Sequence, residues 1–210
     1  MRLFAAALGL ALLLVPEHDH VLQLYLARHG ETDWNRDHLL QGSADIPLNE
    51  TGRRQAVKLA QQIRGLHLDA VYSSELRRSR ETATLVHGAA PLVALAGLNE
   101  RRLGAFEGHP GDAAYERRRQ DPNDTLDGGE SWSQFDARVQ RTLEALLRRH
   151  RSGAILVVGH GGTNQMILRG LFGLSAERTA SFQQANDELY VCEVTDGRAT
   201  RFWKLIDLAR

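Results

Sequence analysis

The sequence predicts a mixed α/β protein, a three-layer α/β/α sandwich around a mostly parallel central sheet. Three observations predict it. Short apolar, β-branched runs alternate along the chain with stretches whose apolar residues recur at helical spacing. Glycine turns close two of the apolar runs, at Gly30 and at Gly161-Gly162. A length of 210 residues, 42% hydrophobic and 25% charged, supplies one well-covered core and not two. Strands alternating with helices form parallel sheets covered on both faces.

Taken in order, Met1-Arg2 and the thirteen uncharged residues Leu3 to Val15 resemble a secretory signal. The stretch is short for a membrane span. Val15-Pro16-Glu17 lacks a small-x-small cleavage pattern, so a packed N-terminal helix is the alternative. The first reading places the protein in the periplasm or outside the cell, the second in the cytoplasm. Glu17-His18-Asp19-His20 then reads as a solvated linker rather than a metal site, because no third ligand cluster lies nearby. Residues 1–20 are thus segment and linker, and 21–210 a single domain.

Val21 to Ala27 predicts a buried strand that ends in Arg28-His29-Gly30. Thr51 opens a helix with Ala56, Leu59, Ala60 and Ile63 at helical spacing, and Gly65 stops it. Ala70-Val71-Tyr72 is a short strand leading into Ser73-Ser74, followed by a helix from Glu75 to His87. Leu92 to Leu95 is another strand. Gly104 to Gly129 reads as loops around a short helix near Ala113–Gln120. Ser131 to Arg149 is amphipathic, with Phe135, Val139, Leu143 and Leu146 as its stripe. Ala154 to Val158 is a central strand that ends in Gly159-His160-Gly161-Gly162, with a helix following to Leu171. Glu188–Val194 and Thr200–Leu205 form a closing hairpin around Asp196-Gly197.

Charge excludes some functions. Twenty-six basic and 26 acidic residues give zero net charge, with no bulk attraction to nucleic acid or an anionic membrane. The single cysteine, Cys192, permits no intrachain disulfide and no cysteine cluster; it reads as a small apolar strand residue. Nothing in the sequence sets an oligomeric state.

The chemistry sits at strand ends, where open α/β sheets bind their ligands. Three ends carry histidine or arginine: Arg28-His29-Gly30, Ser73-Ser74 with Arg78 a turn later, and Gly159-His160-Gly161. Two histidines and two arginines in one crevice make a cationic pocket. Phosphoryl transfer needs an in-line nucleophile and donors on the equatorial oxygens. Neutral imidazole can be that nucleophile, and guanidinium gives charge-assisted bonds to phosphate. Each piece alone has an ordinary structural reading: a hydrogen-bonded histidine, a solvated arginine face at Arg77, Arg78 and Arg80, a plain turn at Gly159. Their joint occurrence, in order, at strand ends is what those readings do not account for.

The run Leu26-Ala27-Arg28-His29-Gly30-Glu31-Thr32-Asp33-Trp34-Asn35 resembles the signature of the histidine phosphatase superfamily, in its phosphoglycerate-mutase-like branch. Colinear blocks extend the likeness over residues 21–175. They are Leu40-Gln41-Gly42, Thr51-Gly52-Arg53-Arg54-Gln55-Ala56, the stretch Tyr72 to Ala83, Leu98-Asn99-Glu100, Phe106-Glu107-Gly108, Gly128-Gly129-Glu130-Ser131 and Val157 to Gly162. The resemblance implies a phosphoglycerate-mutase-like fold. It implies that His29 takes the phosphoryl group and that Arg28, Arg78 and His160 hold its oxygens. By its spacing Glu100 is the proton donor and then the base, while Asn35, Gln41, Gly42 and Gly161 contact phosphate or substrate. On residues alone, Glu100 lies in a charged cluster with Arg101 and Arg102, and Glu107 has the bland role of satisfying backbone donors.

Leu39 stands where the family often has a basic residue, and Phe106 where Trp is common. The segment before Gly128 is short, and Arg117-Arg118-Arg119 is offset there by Asp112, Glu116, Asp121, Asp124 and Asp127. A mutase gripping a bisphosphate would need a longer basic insertion. The leading expectation is a metal-independent phosphomonoesterase acting on a small phosphate ester without a cofactor. A mutase using the same residues is the second, and a non-catalytic phosphate-ester-binding module the third.

Overall fold

The computed structural model describes residues 20–205. The apolar stretch Leu3 to Val15 and His18 of the polar run lie outside them. The chain runs β1 (Val21–Arg28), α1 (Asp33–Arg36), α2 (Glu50–Gln62), β2 (Ala70–Ser73), α3 (Arg77–Val86), β3 (Leu92–Ala94), α4 (Ala113–Arg118), α5 (Trp132–Arg149), β4 (Gly153–Gly159), α6 (Gly161–Phe172), α7 (Ala176–Ala180), β5 (Leu189–Thr195) and β6 (Arg198–Leu205). The six strands form one sheet in the order β3-β2-β4-β1-β5-β6. The first four in that order are parallel; β5 and β6 add antiparallel pairs at one edge. The α/β/α architecture expected from the sequence is the one observed.

Alternation along the strands builds two cores. Leu22, Leu24 and Leu26 of β1, with Ile155 and Val157 of β4, pack against Phe135, Val139, Leu143 and Leu146 of α5 and Ile167 and Leu168 of α6. Tyr25 and Ala27, with Leu156 and Val158, face Leu59 and Ile63 beside α2 and Ala83 and Val86 of α3. Each of these aliphatic side chains contributes about 1.5–3 kcal/mol on leaving water. The amphipathic stripe of α5 is buried as its spacing requires, and its start is fixed by a capping box between Ser131 and Gln134. Among the described residues, no helix is long and apolar enough to cross a membrane.

Three elements depart from expectation. The helix expected from Glu75 begins at Arg77, because Ser74 to Leu76 is held in a bend: Ser74 Oγ accepts from Leu76 N–H and Asn99 Oδ1 accepts from Glu75 N–H, and Leu76 itself is extended. The helices α1 and α7 escape a sequence reading because four or five residues carry no period.

Topology sets the site. β1 and β4 are adjacent and parallel, yet the chain leaves β1 for α2 on one face and β4 for α6 on the other. A crevice opens beyond strand ends where such connections diverge. His29 and His160 are the first residues past those two ends.

Candidate active site

The site lies at the junction of β1 and β4. His29 N–H continues the ladder by donating to Gly159 O at 3.0 Å. The rings of His29 and His160 lie 5.0 Å apart, centroid to centroid, tilted by 57°. Arg78 reaches in from the first turn of α3, its Nε 3.3 Å from His29 Nε2. Arg28 is half-buried, and its Nε is buried without a hydrogen-bond partner among the described residues. His29 is 2% exposed; Arg78 and His160 are at 0%. The three strand ends singled out in the sequence therefore meet in one place.

A backbone contact fixes the His29 loop. A Cβ on Gly30 would sit 2.3 Å from the carbonyl oxygen of Gly52 in α2, an overlap only glycine avoids. Thr82 Oγ1 accepts from Gly30 N–H at 3.0 Å and donates to Arg78 O at 2.8 Å, tying the loop to α3.

Hydrogen bonding decides which nitrogen of His29 is free. Nδ1 lies 2.8 Å from Gly30 O, which can only accept, so Nδ1 carries the proton. Nε2 is left with a lone pair, which accepts from Arg78 Nε–H. Burial lowers the His29 pKa well below 6.5, helped by the charges of Arg78 and Arg28 and opposed by the Gly30 bond. The His160 pKa is likewise well below 6.5, through burial first and then Arg78. Burial also lowers the Arg78 pKa to about 10, against the pull of Glu100, which leaves its guanidinium charged at neutral pH.

Arg78 is clamped by carbonyls. Its Nη1 donates to Ala44 O at 2.7 Å and its Nη2 to Gly42 O at 2.8 Å. Gly42 has φ +49°, and a Cβ there would collide with Glu107 Oε1 at 2.2 Å. That oxygen also accepts from Leu103 N–H at 2.9 Å.

Glu100 enters from the loop after β3. Its Oε1 accepts from Arg101 N–H and its Oε2 from Gly162 N–H, each at 2.9 Å. A Cβ on Gly162 would lie 2.6 Å from the same carboxylate, so the absent side chain matters at Gly162. At Gly161 an added Cβ would meet Arg28 at an ordinary 3.9 Å. The Glu100 loop is held from α5: Arg138 Nη1 donates to Gly97 O at 3.1 Å and Asn99 O at 2.9 Å, while its Nη2 reaches Glu130 at 2.7 Å.

The remaining named residues are placed as follows. Asn35 uses its side-chain carbonyl in the α1 capping box with Thr32, leaving its NH₂ for any ligand. Gln41 Oε1 is buried without a partner among the described residues; a half-turn of the amide would exchange it for a donor. Gly42 acts through its carbonyl on Arg78.

Three polar residues escaped the sequence reading. Gln184 O accepts from Arg28 Nη1 at 2.8 Å, and Asn186 Nδ2 donates to His29 O at 2.7 Å. Asn164 Nδ2 joins Ala27 O at 3.0 Å to Gln184 Oε1 at 2.7 Å. For Gln184 and Asn186 the one signal is topological: β5 runs antiparallel to β1, so the loop before β5 lies where β1 ends, whereas Asn164 lies in the first turn of α6.

Comparisons with known proteins agree with this geometry. A family model described as the histidine phosphatase superfamily (branch 1) matches residues 24–204. The Yersinia pestis (strain Pestoides F) protein named Probable phosphoglycerate mutase GpmB is 32% identical over 179 residues, covering 80% of this chain and 83% of that one. The alpha-ribazole phosphatase of Shigella flexneri superposes with a TM-score of 0.77 at 30% identity, over 85% of this chain and 93% of its own. The phosphoserine phosphatase of Entamoeba histolytica, as a mutant holding phosphoserine, gives 0.75 at 30% identity, over 86% and 96%. With nearly the whole described chain matched and the sheet and crevice in place, this protein belongs to the histidine phosphatase superfamily, branch 1.

Proposed function

We propose that the protein is a phosphomonoesterase that works without a metal, hydrolysing a small phosphorylated metabolite through a phosphohistidine on His29. The observation that supports this reading is the unprotonated Nε2 of His29, set by the Nδ1 bond to Gly30, accepting from Arg78 Nε–H at 3.3 Å and buried between Arg78 and His160. A neutral, oriented imidazole beside two guanidinium groups is arranged for attack on a phosphorus whose oxygens carry negative charge.

In the first step Nε2 forms a bond to phosphorus as the bond to the leaving oxygen breaks. Glu100 gives that oxygen its proton. Water then attacks the phosphohistidine, Glu100 takes the water proton, and inorganic phosphate leaves. Arg28, Arg78 and His160 hold the phosphoryl oxygens through both steps, and the charge of the two arginines does the work a metal ion does elsewhere. Asn35, Gln41, Gly42 and Gly161 line the approach to phosphate or to the leaving group.

A mutase is the second reading, favoured by the identity with the Yersinia protein. The short arginine run argues for hydrolysis instead. Arg118 is bound to Asp124 and Asp127, and Arg119 to Glu116, so neither is free to grip a second phosphate.

The test is a screen of phosphorylated metabolites for phosphate release in the presence of chelator, with His29→Ala as the blank. Release together with an acid-labile phosphoenzyme supports the reading. Interconversion of phosphoglycerates without phosphate release selects the mutase. An acid-stable phosphoenzyme overturns the role of His29.

A further inference from the structure

The hydroxyl of Ser74 has no part in the reaction as described. It lies past the end of β2, fully buried, 2.7 Å from His160 Nε2. It also accepts from Leu76 N–H at 3.2 Å. His160 Nδ1 is buried and without a partner among the described residues.

Two arrangements of protons are open to this pair. In one, His160 Nε2–H donates to Ser74 Oγ. The oxygen then accepts twice, its own proton has no acceptor, and Nδ1 carries a buried lone pair with no donor to meet it among the described residues. In the other, Ser74 donates to Nε2, the ring proton sits on Nδ1, and every group around Ser74 is satisfied. The one donor left over, Nδ1–H, is then a group that an anion would bind.

We propose that Ser74 is a positioning residue: its hydroxyl proton goes to His160 Nε2, placing the ring proton on Nδ1 and making His160 a neutral N–H donor to a phosphoryl oxygen. The inference rests on the phosphoryl-transfer reading of the site.

The consequence is pH-dependent. The groups facing His160 are Arg28 and His29 at the end of β1, Arg78 from α3 and Arg138 from α5. Glu100, from the loop after β3, faces Arg28 and Arg78. With four neighbours cationic or neutral, the ring resists a second proton, so its tautomer decides whether it donates. In Ser74→Ala nothing holds the proton on Nδ1. To donate at Nδ1 the ring must then be shifted to that tautomer by the anion itself or take up a second proton, so anion affinity falls, and falls further as pH rises.

The experiment uses sulfate, a dianion whose charge is constant over the range. In the nitrogen-15-labelled full chain, the His160 spectrum shows a bare Nε2 and a protonated Nδ1 that shifts on sulfate binding. The opposite tautomer overturns the proposal with no variant needed. Ser74→Ala binds sulfate about ten- to a hundredfold more weakly than the parent above neutral pH, the size of one hydrogen bond to a charged group, and the gap narrows in acid. Ser74→Thr, which keeps the hydroxyl, restores the parent profile. A loss in Ser74→Ala that is independent of pH marks a merely structural role and also overturns it. None of these readouts needs turnover, so a wrong tautomer and a wrong assignment of His29 as nucleophile are separable.

Discussion

One oxygen of Glu107 takes both donors of Ser43, the amide at 2.7 Å and the hydroxyl at 2.9 Å. That grip fixes the loop whose carbonyls, from Gly42 and Ala44, hold the guanidinium of Arg78. The prediction is that Glu107→Ala lowers kcat/KM by about ten- to a hundredfold through Arg78 and costs about 1–3 kcal/mol by stranding buried donors. Glu107→Gln, which keeps one acceptor oxygen, falls between. Steady-state kinetics and denaturant melts of the three proteins check it; full activity in Glu107→Ala refutes the link.

Removing the proposed nucleophile, or one of the two arginines beside it, should be terminal. His29→Ala and Arg28→Ala abolish turnover, whereas Glu100→Gln slows it by about 10²–10⁴-fold and leaves phosphate affinity largely intact. Calorimetric titration with phosphate alongside kinetics separates these effects. An equal loss of phosphate affinity in Glu100→Gln would remove that residue from proton transfer.

The His29 imidazole is kept neutral well below pH 6.5 by burial and by Arg78 and Arg28. A neutral ring is the nucleophilic form, so acid inactivates only once the folded-state pKa is crossed. The acid limb of kcat/KM therefore lies below the ordinary histidine range of about 6.5. A pH–rate profile with its acid limb at 6.5 or higher contradicts the buried environment.

The same two rings bear on stability. Unfolded, His29 and His160 return to a pKa of about 6.5, so in acid the unfolded chain binds protons that the folded chain refuses. Folding free energy falls below about pH 6.5 by at most about 1.4 kcal/mol per pH unit per histidine, and the contribution is constant above it. Thermal melts of the parent and of His160→Gln compared over this range should show a shallower acid slope in the variant. Parallel slopes would mean that the ring is not excluded from protonation.

Arg138 joins two jobs: it neutralises Glu130, 6% exposed, and it holds the carbonyls of the Glu100 loop. Arg138→Ala strands the carboxylate and costs about 3–5 kcal/mol. For a chain of this size that lowers the melting midpoint by roughly 6–20 °C. Arg138→Lys keeps the charge but not the fork, and should recover stability better than activity. Differential scanning calorimetry with rate measurements checks both.

The layers, the strands and the long helices were legible because apolar periodicity reports which face a segment buries. The grouping of His29, His160, Arg28 and Arg78 was legible because strand ends in a parallel sheet share one side. What lay hidden was the support. Gln184 and Asn186 sit in a polar loop with no distinguishing pattern, and their partners, Arg28 and His29, are more than a hundred positions away. Glu107 was readable as a group that satisfies backbone donors, but not as the anchor of Arg78, since only the folded chain puts Ser43 beside it. Ser74 was visible as a strand end, while its bond to His160 depends on β2 and β4 being neighbours.

The sheet order has a bearing on how such a protein comes into being. β4 lies between β1 and β2, although it is synthesised long after both. Until that late strand slides into the gap, His29 and the Arg78 guanidinium that faces it have no shared wall. Completing the sheet and assembling the catalytic centre are then a single, long-range and comparatively slow event. A nascent or truncated chain ending before β4 should hold no partial activity, so the cell meets this enzyme either whole or inert.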